Sequence, residues 1–146
     1  MEDYMDNDDL ELYDTVIEEL CINHREKSIT FKILKPISRI DRPGGFTYCV
    51  KKGTLKFENV IYANIPYSFE WDEWSEFYRS AVLNTSNVID KLPAKAKENK
   101  AIKHIYLGID YGVDYKELDI VCSDYYITLE EEEYILHDDF DWLYEE

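Results

Sequence analysis

The chain has 146 residues and a mass of 17.4 kDa, and its 45% hydrophobic and 15% aromatic content exclude a disordered polymer and suit one domain with a real core. Against 32 aspartates and glutamates stand 16 lysines and arginines, a formal net charge of −16 that opposes polyanions and anionic membrane surfaces. The opening MEDYMDNDDLELYD has no basic region ahead of an apolar stretch, and no window approaches the ~18 apolar residues of a spanning helix, so neither a secretory signal nor a membrane segment is expected.

Regular structure is predicted from Thr15 onward. TVIEELCIN and SITFKILKP read as a strand hairpin turning over Asn23–Lys27, because Ile29, Phe31 and Ile33 alternate with Thr30, Lys32 and Leu34. RPGG at Arg42–Gly45 predicts a turn, FTYCVKK a strand that Gly53 breaks, and TLKFENVIYANI a further strand. The period changes in SFEWDEWSEFYRSAVLN. Trp71, Trp74, Tyr78 and Ala81/Val82 recur at helical spacing and predict a helix over about Asp72–Leu83, with Ser68 or Asp72 as N-cap.

LPAKAKENK reads as a lysine-rich loop or short helix. IKHIYLGID returns to strand with Ile105, Leu107 and Ile109 on one face and His104 on the other, a surface or sheet-edge imidazole. ELDIVCSDYYITLE follows, with Leu118, Ile120 and Cys122 sharing a face and a kink near Ser123–Asp124. Leu136, Phe140 and Leu143 stand at i, i+4 and i+7, one face of a short acidic C-terminal helix. The expected fold is α+β: a curled antiparallel sheet of about six strands with one main helix and that closing helix, in a single domain spanning residues 1–146.

The charge is confined to the ends. Residues 1–14 hold seven acids and no base, residues 130–146 hold nine acids and no base, and the body between them, 15–129, is neutral with sixteen of each. Within the body the bases cluster between Arg25 and Lys56 and again between Lys91 and Lys103. The acidic ends therefore either fold back over the basic strands or face outward toward a basic partner. Exposed ion pairs contribute only about 0–1 kcal/mol each, so aromatic docking would have to supply the rest. The closing EEEEYILHDDFDWLYEE carries both kinds of group, and Tyr134, Asp138, Asp139, Phe140, Asp141, Trp142 and Tyr144 are its candidate partner-binding residues.

Sites of chemistry are not evident. DYGVD at Asp110–Asp114 lacks the remaining ligands of a calcium loop and reads as a strand connection. His24, His104 and His137 are scattered without zinc spacing, and RPGGF lacks the lysine and hydroxyl of a phosphate loop. The aromatic and basic stretch 25–56 has the composition of a nucleic-acid face, which the overall charge opposes. Cys21, Cys49 and Cys122 lie in apolar strand-like segments and read as buried reduced thiols, which points to a reducing cytoplasm. No catalytic residue, metal or cofactor is assigned.

LYDTVIEELCINHREKSITFKI, GTLKFENVIYANI and LDIVCSDYYITLE, with Tyr13, Asp14, Thr15 and Ile17 leading into the first strand, resemble a group of small bacterial β-rich proteins. Some of these are similar to immunity proteins that protect bacteria from polymorphic toxins. The resemblance covers about half the chain and brings no catalytic residues with it. The expected function is a non-enzymatic cytoplasmic binding or inhibitor protein, an immunity protein neutralising a basic toxin or nuclease-like partner. The alternative is a small hydrolase or transferase with a site of dispersed acids and a histidine, which a deep polar pocket around His24 or His104 would favour. A third reading is a homo-oligomer whose acidic ends dock on a neighbour's basic strands.

Overall fold

The computed structural model describes residues 7–66, 75–98, 101–110 and 115–136. Among these residues eight strands make one antiparallel sheet: β1 (Val16–Asn23), β2 (Ser28–Arg42), β3 (Gly45–Glu58), β4 (Tyr62–Asn64), β5 (Glu76–Leu83), β6 (Lys103–Asp110), β7 (Tyr115–Cys122) and β8 (Asp124–Ile135). Their order across the sheet is β4-β7-β6-β5-β1-β2-β3-β8. The helical elements among the described residues are one turn of helix, α1 (Asn87–Asp90), and a 3-10 turn at Ala96–Glu98.

The α+β expectation is therefore wrong: the described residues are mostly β, with eight strands rather than six and no main helix among them. The segment read as a helix over Asp72–Leu83 contributes β5 from Glu76 onward. The β5–β6 register shifts between Phe77 and Arg79, a bulge at Tyr78. Phe77 pairs with Ile109, Ser80 with Leu107 and Val82 with Ile105, so all three face the interior, and the bulge stretches the first step from two residues to three. Of the residues whose spacing suggested a helix, Tyr78 is the bulged one, Ala81 and Val82 lie in β5, and Trp71 and Trp74, with the N-cap candidates Ser68 and Asp72, lie outside the described residues. Gly53 likewise does not break its strand: β3 runs through it to Glu58, and the chain turns at Asn59, whose φ is 54°.

The sheet curls until its ends meet. β3 and β4 are one run of chain turned at Asn59–Ile61, and β7 and β8 are one run turned at Ser123. Because β3 pairs with β8 and β4 with β7, the two runs stay side by side around the corner. Asn59 Nδ2 clamps it, donating to Ser123 Oγ at 3.1 Å and to Asp124 Oδ2 at 3.0 Å. The kink expected near Ser123–Asp124 lies here. Both halves of the sheet fill one interior, with Phe31, Ile33, Leu55 and Phe57 from β2 and β3 packed with Ile105, Leu107, Leu118 and Ile120 from β6 and β7.

Between β1 and β5 the ladder is a single residue pair, Val16↔Glu76. The segment before β1 fills the opening: Asp9 N donates to Ser80 O at 2.9 Å, Ser80 N to Asn7 O at 3.1 Å, and Leu10 and Leu12 enter the core. Of the three cysteines, all free, only Cys122 is buried, and burial pushes its thiol up to about 11. Cys21 pairs with Thr30 on the outward face of β1 and β2 and is exposed, which corrects the expectation of three buried thiols. No helix among the described residues is long and apolar enough to cross a membrane.

Candidate functional site

The residues that end the described chain form the outer edge of the sheet. β8 pairs with β3, from Glu58↔Asp124 to Cys49↔Ile135, and has no second neighbour among the described residues. Its first half alternates as a half-buried strand should, with Tyr125 and Ile127 packed on the core and Tyr126 and Thr128 turned outward. The register then shifts. Gly53 stands opposite Leu129 and Lys51 opposite Glu133, so Glu130, Glu131 and Glu132 face Lys52 alone. Three glutamates are thus extruded in an edge bulge, where every one of them is exposed.

Gly53 makes this close approach possible. A Cβ there would lie 2.6 Å from both Leu129 Cδ2 and Thr128 O. Beyond the bulge, Cys49 Sγ donates to Glu133 Oε1 at 3.0 Å, and that bond raises the thiol above its ordinary range. Tyr134 is exposed, with its hydroxyl donating to Glu132 Oε2 at 2.6 Å and Lys52 Nζ lying 5.0 Å from its ring centroid. The bond to Glu132 holds the phenol above its ordinary pKa. Ile135 is also exposed. Leu136 turns back into a small core with Val16, Leu34 and Val50, and its carbonyl accepts from Thr47 Oγ1 at 2.5 Å.

Thus the glutamate run is a strand rather than a tail, and it lies beside the lysines of β3. None of Glu130–Glu133 makes an ion pair among the described residues, so backbone pairing and the Leu136 anchor, not charge, hold the segment to its own body. Of the candidate partner-binding residues, Tyr134 lies on this edge; Asp138, Asp139, Phe140, Asp141, Trp142 and Tyr144 lie outside the described residues. So does the helical face read from Phe140 and Leu143, while Leu136 itself follows a strand.

The acids of the opening segment behave otherwise. Asp8 Oδ1 accepts from Leu12 N at 2.7 Å and from Ser80 Oγ at 3.0 Å, and its Oδ2 accepts from Tyr13 N at 3.1 Å. Asp9 Oδ2 accepts from Val82 N at 2.8 Å, and Asp14 Oδ2 from Tyr48 Oη at 2.6 Å. These carboxylates tie the segment to β5 and β3.

His104 is buried rather than at the surface. Its side of β6 is covered by α1, where Ile89 packs on Ile102 and Val121. Ser86 caps α1, its Oγ accepting from Ile89 N at 3.1 Å. That leaves the Ser86 hydroxyl hydrogen for His104 Nδ1 at 2.9 Å, and His104 Nε2–H for Asp119 Oδ1 at 2.6 Å. No sequence signal marks this Ser–His–Asp chain, because its members are brought together only by the β6–β7 ladder and the cap. It has the composition of a nucleophile relay, yet Ser86 is 5% exposed and committed to its helix, so the chain secures α1 and presents no accessible nucleophile. His24 is exposed and lines a mainly apolar groove instead of a polar pocket. Among the described residues, no cluster of His, Cys, Asp and Glu is arranged to hold a metal ion.

No family model, no curated protein and no solved structure matches this chain.

Proposed function

We propose that the protein is a non-enzymatic binding protein of the cytoplasm that captures a basic protein partner on the edge formed by β8, in the manner of an immunity protein or inhibitor. The observation that carries the reading is the bulge of Glu130, Glu131 and Glu132, exposed on a sheet edge and without ion pairs among the described residues. An unpaired strand edge offers backbone donors and acceptors to an incoming chain. The glutamates select which chain: two copies meeting edge to edge would oppose like charges, whereas a lysine-rich segment is attracted.

Single-sign fields of this kind raise association rates to roughly 10⁸–10⁹ M⁻¹s⁻¹ at low salt. Tyr126, Tyr134 and Ile135, exposed on the same strand, supply the apolar contact that charge alone lacks. Asp138, Asp139, Phe140, Asp141, Trp142 and Tyr144 extend the same chemistry along the sequence.

The test compares the wild type with Glu130→Gln/Glu131→Gln/Glu132→Gln as baits in native lysate across a salt series. Neutralising charge is preferable to ending the chain at Leu129, which would strip β8 of its second half and remove Leu136 from the core. The expected result is one dominant basic partner, retained by the wild type at low salt, released as salt rises, and weakly held by the variant. Equal retention by both baits at every salt concentration would overturn the reading.

A further inference from the structure

At the corner where the sheet closes, a groove of about 580 Å³ opens between the β1–β2 turn, the run joining β3 to β4, and the segment after α1. Three of the molecule's exposed large apolar side chains meet in it: Ile22 at 59%, Ile61 at 42% and Tyr62 at 39% exposure. They come from two distant stretches of chain, and Leu92 and Pro93 close the third wall. Scattered exposed apolar residues are ordinary on a protein surface, but a contiguous concave set is a mark of binding, and the volume falls within the ~300–1,000 Å³ of small-molecule sites.

The charges that the described residues place on the groove's lining are all of one sign. Lys27 and Lys95 stand on it with His24, and no carboxylate among the described residues does. The chain as a whole carries 32 acids against 16 bases, and the two lysines bring both basic clusters of the neutral body, Arg25–Lys56 and Lys91–Lys103, to one groove. Neither lysine makes an ion pair among the described residues. Apolar walls with unpaired ammonium groups match an apolar body carrying an anionic head. The net charge of −16 sets the size of that ligand: a polyanion or acidic protein is repelled through every charge it bears, a monoanion through one.

We infer that this groove binds a long-chain carboxylate, its alkyl chain along Ile22, Ile61 and Tyr62 and its head between Lys27 and Lys95. The site lies at the corner end of β3, while the glutamate bulge faces the stretch around Lys52, so the two surfaces are separate and either can fail without the other.

The experiment titrates the full chain with dodecanoate below its micelle concentration, by calorimetry and by methyl NMR of the isoleucines. One dodecanoate should bind per chain, shifting Ile22 and Ile61, and roughly tenfold more tightly than decanoate if the two extra methylenes are buried. Lys27→Gln/Lys95→Gln should weaken dodecanoate by about threefold to tenfold and leave dodecanol unchanged, because exposed charge pairs are worth little each. Ala96→Trp, which fills the groove from its third wall, should abolish binding of both. The glutamate variant Glu130→Gln/Glu131→Gln/Glu132→Gln should retain it. Absence of saturable binding, dodecanol bound as tightly as dodecanoate, unchanged affinity in the lysine variant, or shifts centred on Ile127 and Ile135 would each overturn the inference.

Discussion

Asp8, Asp9 and Asp14 aim their carboxylates at backbone N–H groups and hydroxyls of the same molecule, whereas Glu130, Glu131 and Glu132 hold theirs on the free edge of β8. In composition the two regions are alike, acid-rich stretches with interspersed apolar residues. The difference lies in what surrounds them. β1 and β5 share a single ladder pair, and the opening beside them exposes donors that a short carboxylate can satisfy. β8 pairs with β3 on one side only, and the glutamates of its bulge stand out of that ladder and remain in water. Acid-rich sequence is thus used once as mortar and once as surface.

The comparison breaks most readily at Asp8. It accepts from Leu12 N, Tyr13 N and Ser80 Oγ, and Asp8→Ala leaves those donors unsatisfied beside the buried Leu10 and Leu12. Hydrogen bonds to charged groups contribute about 1.5–3 kcal/mol, so a loss of about 2–3 kcal/mol is expected in urea unfolding. If the variant loses less than about 0.5 kcal/mol, the opening segment is no more anchored than a surface stretch.

A somewhat smaller loss is expected on the β8 side from Gly53→Ala. The new Cβ would meet Leu129 Cδ2 and Thr128 O at 2.6 Å, and one of these is backbone that cannot swing aside. Overpacking of this kind costs about 1–3 kcal/mol. Hydrogen exchange should show β8 loosening from β3 while the β6–β7 ladder keeps its protection.

These contacts also mark what was legible from sequence. The strands with regular alternation were readable: Ile29, Phe31 and Ile33 in β2, Ile105, Leu107 and Ile109 in β6, and Leu118, Ile120 and Cys122 in β7 all face the interior. Elements failed where a bulge broke the period. Tyr78 turned β5 into an apparent helix, and Glu130–Glu132 made the second half of β8 look like a tail. His104 was placed on the correct face of β6, opposite Ile105, but the cover supplied by α1 could not be foreseen, since it depends on Ser86 capping a single turn of helix. The candidate site was legible in its charge and aromatic content, and illegible as a sheet edge.

The bond between Tyr48 and Asp14 gives the comparison a pH axis. Burial, reinforced by the hydrogen bond to the Asp14 carboxylate, pushes the Tyr48 phenol well above its ordinary range. A folded pKa above the unfolded one means that this stabilisation is complete below about pH 10, where the unfolded phenol is still protonated, and is lost as pH rises from there toward the folded value. Stability should therefore fall on going from pH 9 to pH 12 (roughly the window set by the free phenol). Tyr48→Phe should cost about 1–2 kcal/mol at neutral pH and make the alkaline decline shallower. An unchanged alkaline slope would show that Asp14 does not hold the phenol.

The smallest effect on stability is expected where the effect on binding is largest. Glu130, Glu131 and Glu132 are exposed and make no ion pair among the described residues, and the one hydrogen bond to them, from Tyr134 to Glu132, is itself exposed, so Glu130→Gln/Glu131→Gln/Glu132→Gln should change unfolding free energy by no more than about 0.5 kcal/mol, and relief of like-charge repulsion favours the variant. The same change removes three charges from one edge, which acts on the rate of encounter with a basic protein and on its salt dependence. A variant as stable as the wild type and slower to associate would separate the edge from the mortar. A variant losing as much stability as Asp8→Ala would show that the bulge serves the fold, and the two acidic regions would then differ in geometry alone.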